Sequence, residues 1–260
     1  MGCCAANELE PVQANNKDED LAKPSLSGIT DSYLIFELKL PFARTLINTF
    51  IAKVNDAETA CGEQGYVTIE SLAVEFSSPA WKDLKDPDSV LVKLLNSAAF
   101  KDEKKGHGAD QIDADFLRCF GLLNCAGKNE DKARWFYGVL QEGGLDAHQF
   151  ISATDKDLNP IFDKMCGLAS WELFTIADQT GSVDSIYDDS QCSLLQEKVE
   201  DLREEHLLED IFGVNSRMEN ADWLESVSKK ANWVFSTTQL RKKLFELASL
   251  VENHHNGTTA

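Results

Sequence analysis

The sequence predicts an all-α fold, and three observations carry that prediction. Large apolar residues recur at helical spacing along most of the chain, as in Phe42, Leu46, Phe50 and Val54, which fall on one stripe. Alternating apolar and polar runs long enough for a half-buried strand are nearly absent. Four short segments also repeat a pattern: 65–72 (GYVTIESL), 110–117 (DQIDADFL), 143–150 (GGLDAHQF) and 181–187 (GSVDSIY). In each, a glycine or aspartate precedes an apolar residue by two positions, and a polar segment follows. A turn residue, one aliphatic residue and then, usually, an aspartate make a loop-to-helix hinge. The apolar centres Val67, Ile112, Leu145 and Val183 lie 45, 33 and 38 residues apart, room for two helices and a loop per unit.

Taken in order, residues 1–29 are polar and acidic and read as a mobile tail. A helix follows over Pro41 to about Val54, then one from Glu70 to Phe76 after the first hinge. Pro79 and Pro87 punctuate a linker around Trp81. Asp88 to Phe100 reads as an apolar helix capped by Asp88 or Ser89, and Asp113 to Leu123 as the next. Asp131–Leu140 and Asp146–Ala153 flank the third hinge. Asp157–Ala177 should break into two helices, with Pro160 and Gly167 as the disrupting residues. Ser190–Phe212 is a long charged helix carrying Leu194, Leu195, Val199, Leu202 and Leu207, and Ala221–Val251 divides into two helices near Ser236. The β structure expected is one short bridge per pair of hinges, Val67 with Ile112 and Leu145 with Val183. The organisation is therefore a tail (1–29), a first pair of units (30–125), a second pair (126–212) and a carboxyl-terminal helical extension (213–260).

Composition narrows the function. Forty-four acidic against 25 basic residues give a net charge of −19, the wrong sign for nucleic acid and for purely electrostatic attachment to an anionic leaflet. The seven cysteines form no CxxC pair, no signal-peptide apolar region is present, and no run nears the roughly 18 apolar residues of a spanning helix. A reduced, cytoplasmic setting is expected, with Cys119 and Cys125 packing as small core residues.

The four hinges resemble EF-hands, the calcium-binding helix–loop–helix units, over roughly 40–190. Such a loop needs alternate oxygen ligands, a sharp-turn glycine and a closing bidentate glutamate. The turn glycine matches Gly65, Gly143 and Gly181, with Asp110 in its place in the second unit. The closing positions fall on Ser71, Phe116, Gln149 and Tyr187, none of them acidic. With the first helix ending near Val54, the first loop is also several residues too long. The fourth loop keeps one ligand-like series, Asp178, Thr180, Ser182, Asp184 and Asp189, spaced as in a twelve-residue loop. These five are the candidate calcium ligands, against the alternative of a polar turn capping a helix.

Met1-Gly2-Cys3-Cys4 is the second informative motif. Loss of Met1 would expose Gly2 for myristoylation, and Cys3 and Cys4 offer adjacent palmitoylation sites, although Ala6 stands where the motif prefers Ser or Thr. No polybasic patch accompanies it, so a second acyl chain would have to stabilise membrane attachment. The combination is similar to the neuronal-calcium-sensor and calcineurin-B-like EF-hand groups. That resemblance implies an apolar groove that takes a helix of a protein partner. Trp233, Phe235, Leu240, Leu244 and Leu247 of the extension either fill this groove or present a surface of their own.

The sequence holds no phosphate loop, HExxH or nucleophile elbow, so neither an enzyme nor a small-molecule substrate is expected. The reading is a membrane-anchored EF-hand-like adaptor with calcium binding lost or confined to the fourth loop. A structural subunit of a cytoskeletal or ciliary assembly and a genuine calcium sensor are the alternatives.

Overall fold

A computed structural model of the protein describes residues 29–62, 65–102, 108, 110–140, 150–183 and 189–255, with backbone alone for 29–31 and 249–255. The fold is all-α, with two small two-stranded sheets. Helix α1 is Ile29–Lys39, a helix the sequence pattern did not single out. A 3-10 turn at Pro41–Arg44 leads into α2 (Ile47–Cys61), which buries Ile47, Phe50, Ile51, Val54 and Ala57 at helical spacing. Helix α2 continues two turns past Val54 because Ala57 extends the buried stripe, and it stops at Gly62, whose φ of 73° suits a left-handed cap.

Strand β1 (Tyr66–Thr68) then feeds α3 (Ile69–Glu75). A 3-10 segment (Pro79–Lys85), α4 (Val90–Leu95) and a second 3-10 turn (Ala98–Phe100) occupy the stretch expected as linker plus one helix. The Ser89 side chain caps α4 by accepting the Val92 amide at 3.1 Å. Strand β2 (Gln111–Asp113) and α5 (Ala114–Asn124) complete the first half. β1 and β2 are antiparallel with Val67 opposite Ile112, the pairing the hinges predict.

In the second half α6 (Asn129–Leu140) precedes β3 (Phe150–Ser152), which replaces part of the helix expected over 146–153. α7 (Leu158–Ala169) and α8 (Trp171–Gln179) are separated at Ser170, not at Pro160 or Gly167. Pro160 sits in the first turn of α7, where its missing N–H breaks no helical bond. α9 (Asp189–Leu202) runs through a π-helical turn (Arg203–Leu207) into α10 (Leu208–Phe212). Strand β4 (Arg217–Glu219), α11 (Asn220–Lys229), a 3-10 turn (Asn232–Phe235) and α12 (Thr237–His255) follow.

The second bridge falls where the sequence reading did not place it. β3 pairs antiparallel with β4, Ile151 opposite Met218, so the pairing crosses the boundary expected at 212. Val183 is not in a strand: the Ser182 and Val183 amides both donate to the Ala177 carbonyl, folding the segment back onto the end of α8. Its expected partner Leu145 lies outside the described residues. The strand-bearing units are thus α2–β1–α3, α4–β2–α5, α6–β3–α7 and α9/α10–β4–α11, and α8 is inserted between the third and fourth.

An aromatic cluster of Phe42, Phe50, Phe76, Trp81 and Phe120 fills the first half. Trp223 of α11 fills the second, against Phe136, Tyr137 and Phe212. α5 packs on α6 and α7 and joins the halves. Trp233, Phe235, Leu240 and Leu244 are buried and Leu247 is half-buried, with α12 lying against α7 and α9. The carboxyl-terminal apolar stripe is therefore spent on the chain's own core. The two ends of the described chain meet: Tyr33 of α1 packs on Phe174, and buried Glu37 accepts two bonds from Arg241 of α12, each at 2.8 Å.

Candidate metal centre

Four of the five candidate ligands of the 178–189 loop, Asp178, Thr180, Ser182 and Asp189, fall among the described residues. Asp178 is exposed near the end of α8, and its carbonyl accepts the Gly181 amide at 2.8 Å. The Thr180 hydroxyl donates to the Ala177 carbonyl at 3.1 Å and lies 2.9 Å from the Ser182 hydroxyl. Asp189 opens α9 and is exposed, while Asp184 lies outside the described residues. Among the described residues no three His, Cys, Asp or Glu side chains are grouped as a metal would require.

The strand-bearing loops show what occupies the places of metal ligands. With Gly65 (φ 94°) as sixth residue, a twelve-residue calcium loop would span 60–71. The long α2 removes the expected excess length, and the residue types depart from a calcium loop. Its first, third and last ligand places are Ala60, Gly62 and Ser71. Ser71 instead closes a capping box with Thr68, each side chain taking the other's amide at 3.1 Å. The loop's turn is held by protein: Glu58 Oε1 accepts the Gly65 amide at 2.6 Å. Arg118 of α5 binds the other oxygen of Glu58 and also Asn55, at 2.9 Å, and Asp115, at 2.8 Å.

The second loop, counted as 105–116, has a cation of its own. A calcium loop offers its seventh backbone carbonyl to the metal; here that carbonyl belongs to Gln111 and accepts the Lys101 ammonium. Burial lowers the Lys101 value below that of an ordinary lysine, and the Asp110 carboxylate opposes that shift. Asp113 is fully buried and caps α5, accepting the Asp115 and Phe116 amides at 2.9 Å each. Phe116 fills the closing place, and the Lys164 ammonium sits 4.4 Å from its ring centre.

The shifted bridge also changes the closing residues of the second pair. Counting from Ile151 and Met218 gives loops of 144–155 and 211–222, which close on Asp155 and Asp222 in place of Gln149 and Tyr187. Asp155 accepts the Asp157 amide at 3.1 Å, ahead of α7. In the last loop the first ligand place is Ile211, a buried apolar side chain, while Glu219 and Asp222 are exposed. Arg217 stacks over Phe150 on the outer face of this sheet, 3.9 Å from the ring centre.

Burial accounts for the other perturbed groups. It pushes the Cys119 and Cys166 thiols well above their ordinary value and Cys125 up to about 12, so all three pack as neutral side chains. It lowers Lys132 to about 8, where the ammonium donates to the Phe235 carbonyl at 3.3 Å. Gly2, Cys3 and Cys4 lie outside the described residues. Comparison with family models, curated proteins and solved structures returns no match.

Proposed function

We propose that this chain is a metal-independent, EF-hand-like adaptor, held at a membrane by acyl groups on Gly2, Cys3 and Cys4. The observation that carries the reading is that the chain's own side chains tie the first pair of loops, with a lysine on the carbonyl a calcium ion would take. Lys101 takes the Gln111 carbonyl, and Glu58, itself bound by Arg118, holds the Gly65 amide. Where the chain's own side chains tie a loop, the energetic reason to retain chelating carboxylates disappears. No helix among the described residues is long and apolar enough to cross a membrane, so attachment rests on the acyl motif. α12 covers the helix faces that would otherwise receive a partner segment, and a partner is taken by the outer surface or by displacing it.

Titration calorimetry with calcium on the full chain is expected to give no saturable heat, and circular dichroism no helical change. Saturable heat that disappears in Asp178→Asn/Asp189→Asn would overturn metal independence and favour a sensor working through the 178–189 loop. A structural subunit of a cytoskeletal or ciliary assembly is the second reading, favoured by the closed helix faces. It requires the chain to stay insoluble after detergent extraction of its cells, whereas an acyl-anchored adaptor is released.

A further inference from the structure

We infer that the outer face of α1, together with the turn that follows it, is a contact surface for an anionic lipid bilayer. The inference rests on the reading of an acylated amino terminus. Among the described residues the exposed large apolar side chains are Ile35, Leu38, Leu46, Val74, Phe150 and Val214, and half of them fall between 35 and 46. Ile35 and Leu38 lie one turn apart on α1 and are each 53% exposed, while Tyr33, Phe36, Glu37 and Leu40 face the core.

The charge pattern is equally local. Although 44 of the 260 residues are acidic, Glu37 is the one acidic residue between Ser32 and Asn55. Glu37 points inward, onto Arg241. The exposed charges along this stretch are Lys39 and Arg44. Exposed Lys128 lies two residues past Ala126, which bridges to Leu46. Apolar side chains flanked by cations are what an interfacial segment needs to approach negatively charged headgroups.

Two features select a bilayer over other occupants. α1 is the first described element after the segment bearing Gly2, Cys3 and Cys4, so an acyl tether joins the fold at this helix. The net charge of −19 repels the remaining surface from an anionic leaflet, leaving the stretch from Ser32 to Asn55, whose exposed charges are the cations Lys39 and Arg44, as the one that can approach.

The test holds the tether constant and varies the face. Full chain carrying an amino-terminal histidine tag is mixed with phosphatidylcholine vesicles containing nickel-chelating lipid, with or without phosphatidylserine, and sedimented. The tag replaces the acyl groups, so the result does not depend on whether acylation occurs; metabolic labelling of the untagged chain with acyl analogues decides that separately. Ile35→Glu/Leu38→Glu is expected to weaken binding to the phosphatidylserine vesicles about tenfold, from the loss of two part-buried apolar contacts. Leu38→Ser alone should weaken it less, and Val74→Glu/Val214→Glu, the same charge change at exposed apolar sites elsewhere, should bind as wild type. The inference is overturned if the two double variants behave alike, or if binding is indifferent to phosphatidylserine.

Discussion

Replacing Arg241 by alanine is expected to lower the unfolding free energy by about 3–5 kcal/mol, read from the urea midpoint. Its guanidinium is 1% exposed and binds both oxygens of Glu37, which is 3% exposed and also accepts the Thr237 hydroxyl at 2.9 Å. Removing the cation strands a carboxylate in the core, with only Thr237 left to solvate it. The pair as a whole is a different matter. Burial raises the Glu37 carboxyl above its ordinary value even though Arg241 and Thr237 pull it back, so desolvation outweighs the attraction. Glu37→Leu combined with Arg241→Leu is accordingly expected to be neutral or up to about 4 kcal/mol more stable than wild type. A double variant as damaged as Arg241→Ala would refute this account.

The same imbalance sets a pH dependence. Burial is the leading cause of raised values at Glu37, Asp163 and Glu172. A carboxyl whose folded value is raised holds its proton more tightly folded than unfolded. Its stabilising contribution is therefore full at low pH and lost as pH rises through the raised value. The urea midpoint should increase on going from about pH 7 to about pH 5, and relief of negative self-repulsion acts in the same direction. A midpoint that falls steadily over that window would contradict it.

Trp223→Ala is expected to cost about 3–5 kcal/mol in the same assay. Trp223 is fully buried on α11 and touches Phe136 and Tyr137 of α6 and Phe212 of α10, with ring centres 5.7–6.4 Å apart. It heads the fully buried side chains by size, and a cavity there opens between α6, α10 and α11. The loss should appear as faster unfolding with the helical content of the native baseline retained. A change below about 1 kcal/mol would mean that the site collapses onto the void, and that α11 does not hold the second pair together.

The helical period was readable where one face is buried, as for α2, and more so where a side-chain cap stands in front, as for α4 with Ser89 and α5 with Asp113. The first bridge was readable because Val67 and Ile112 are fully buried centres between polar neighbours. The fourth unit was not. Gly181-Ser182-Val183 imitates the hinge pattern but is spent terminating α8, whereas Arg217-Met218-Glu219 has Ser216 in place of the turn glycine and charges on both sides of its apolar residue. The gap of five between Leu202 and Leu207, where four or three is usual, marks the π-helical turn that keeps Leu207 and Ile211 facing the core. The groups that hold the loops carried no signal. Glu58 with Gly65 and Lys101 with Gln111 are seven and ten residues apart, and nothing in their types says that a side chain will bond a particular backbone atom.

The contact between Glu37 and Arg241 spans 204 positions of the chain, which bears on biosynthesis. At roughly 5–20 residues per second, α1 leaves the ribosome on the order of ten seconds or more before its docking site is translated. Tyr33 waits for Phe174 of α8, and for the whole interval the Glu37 carboxylate remains in water. α12 is thus the helix that allows Glu37 of α1 to settle, and nascent chains released before it is made would display an apolar α1 to chaperones.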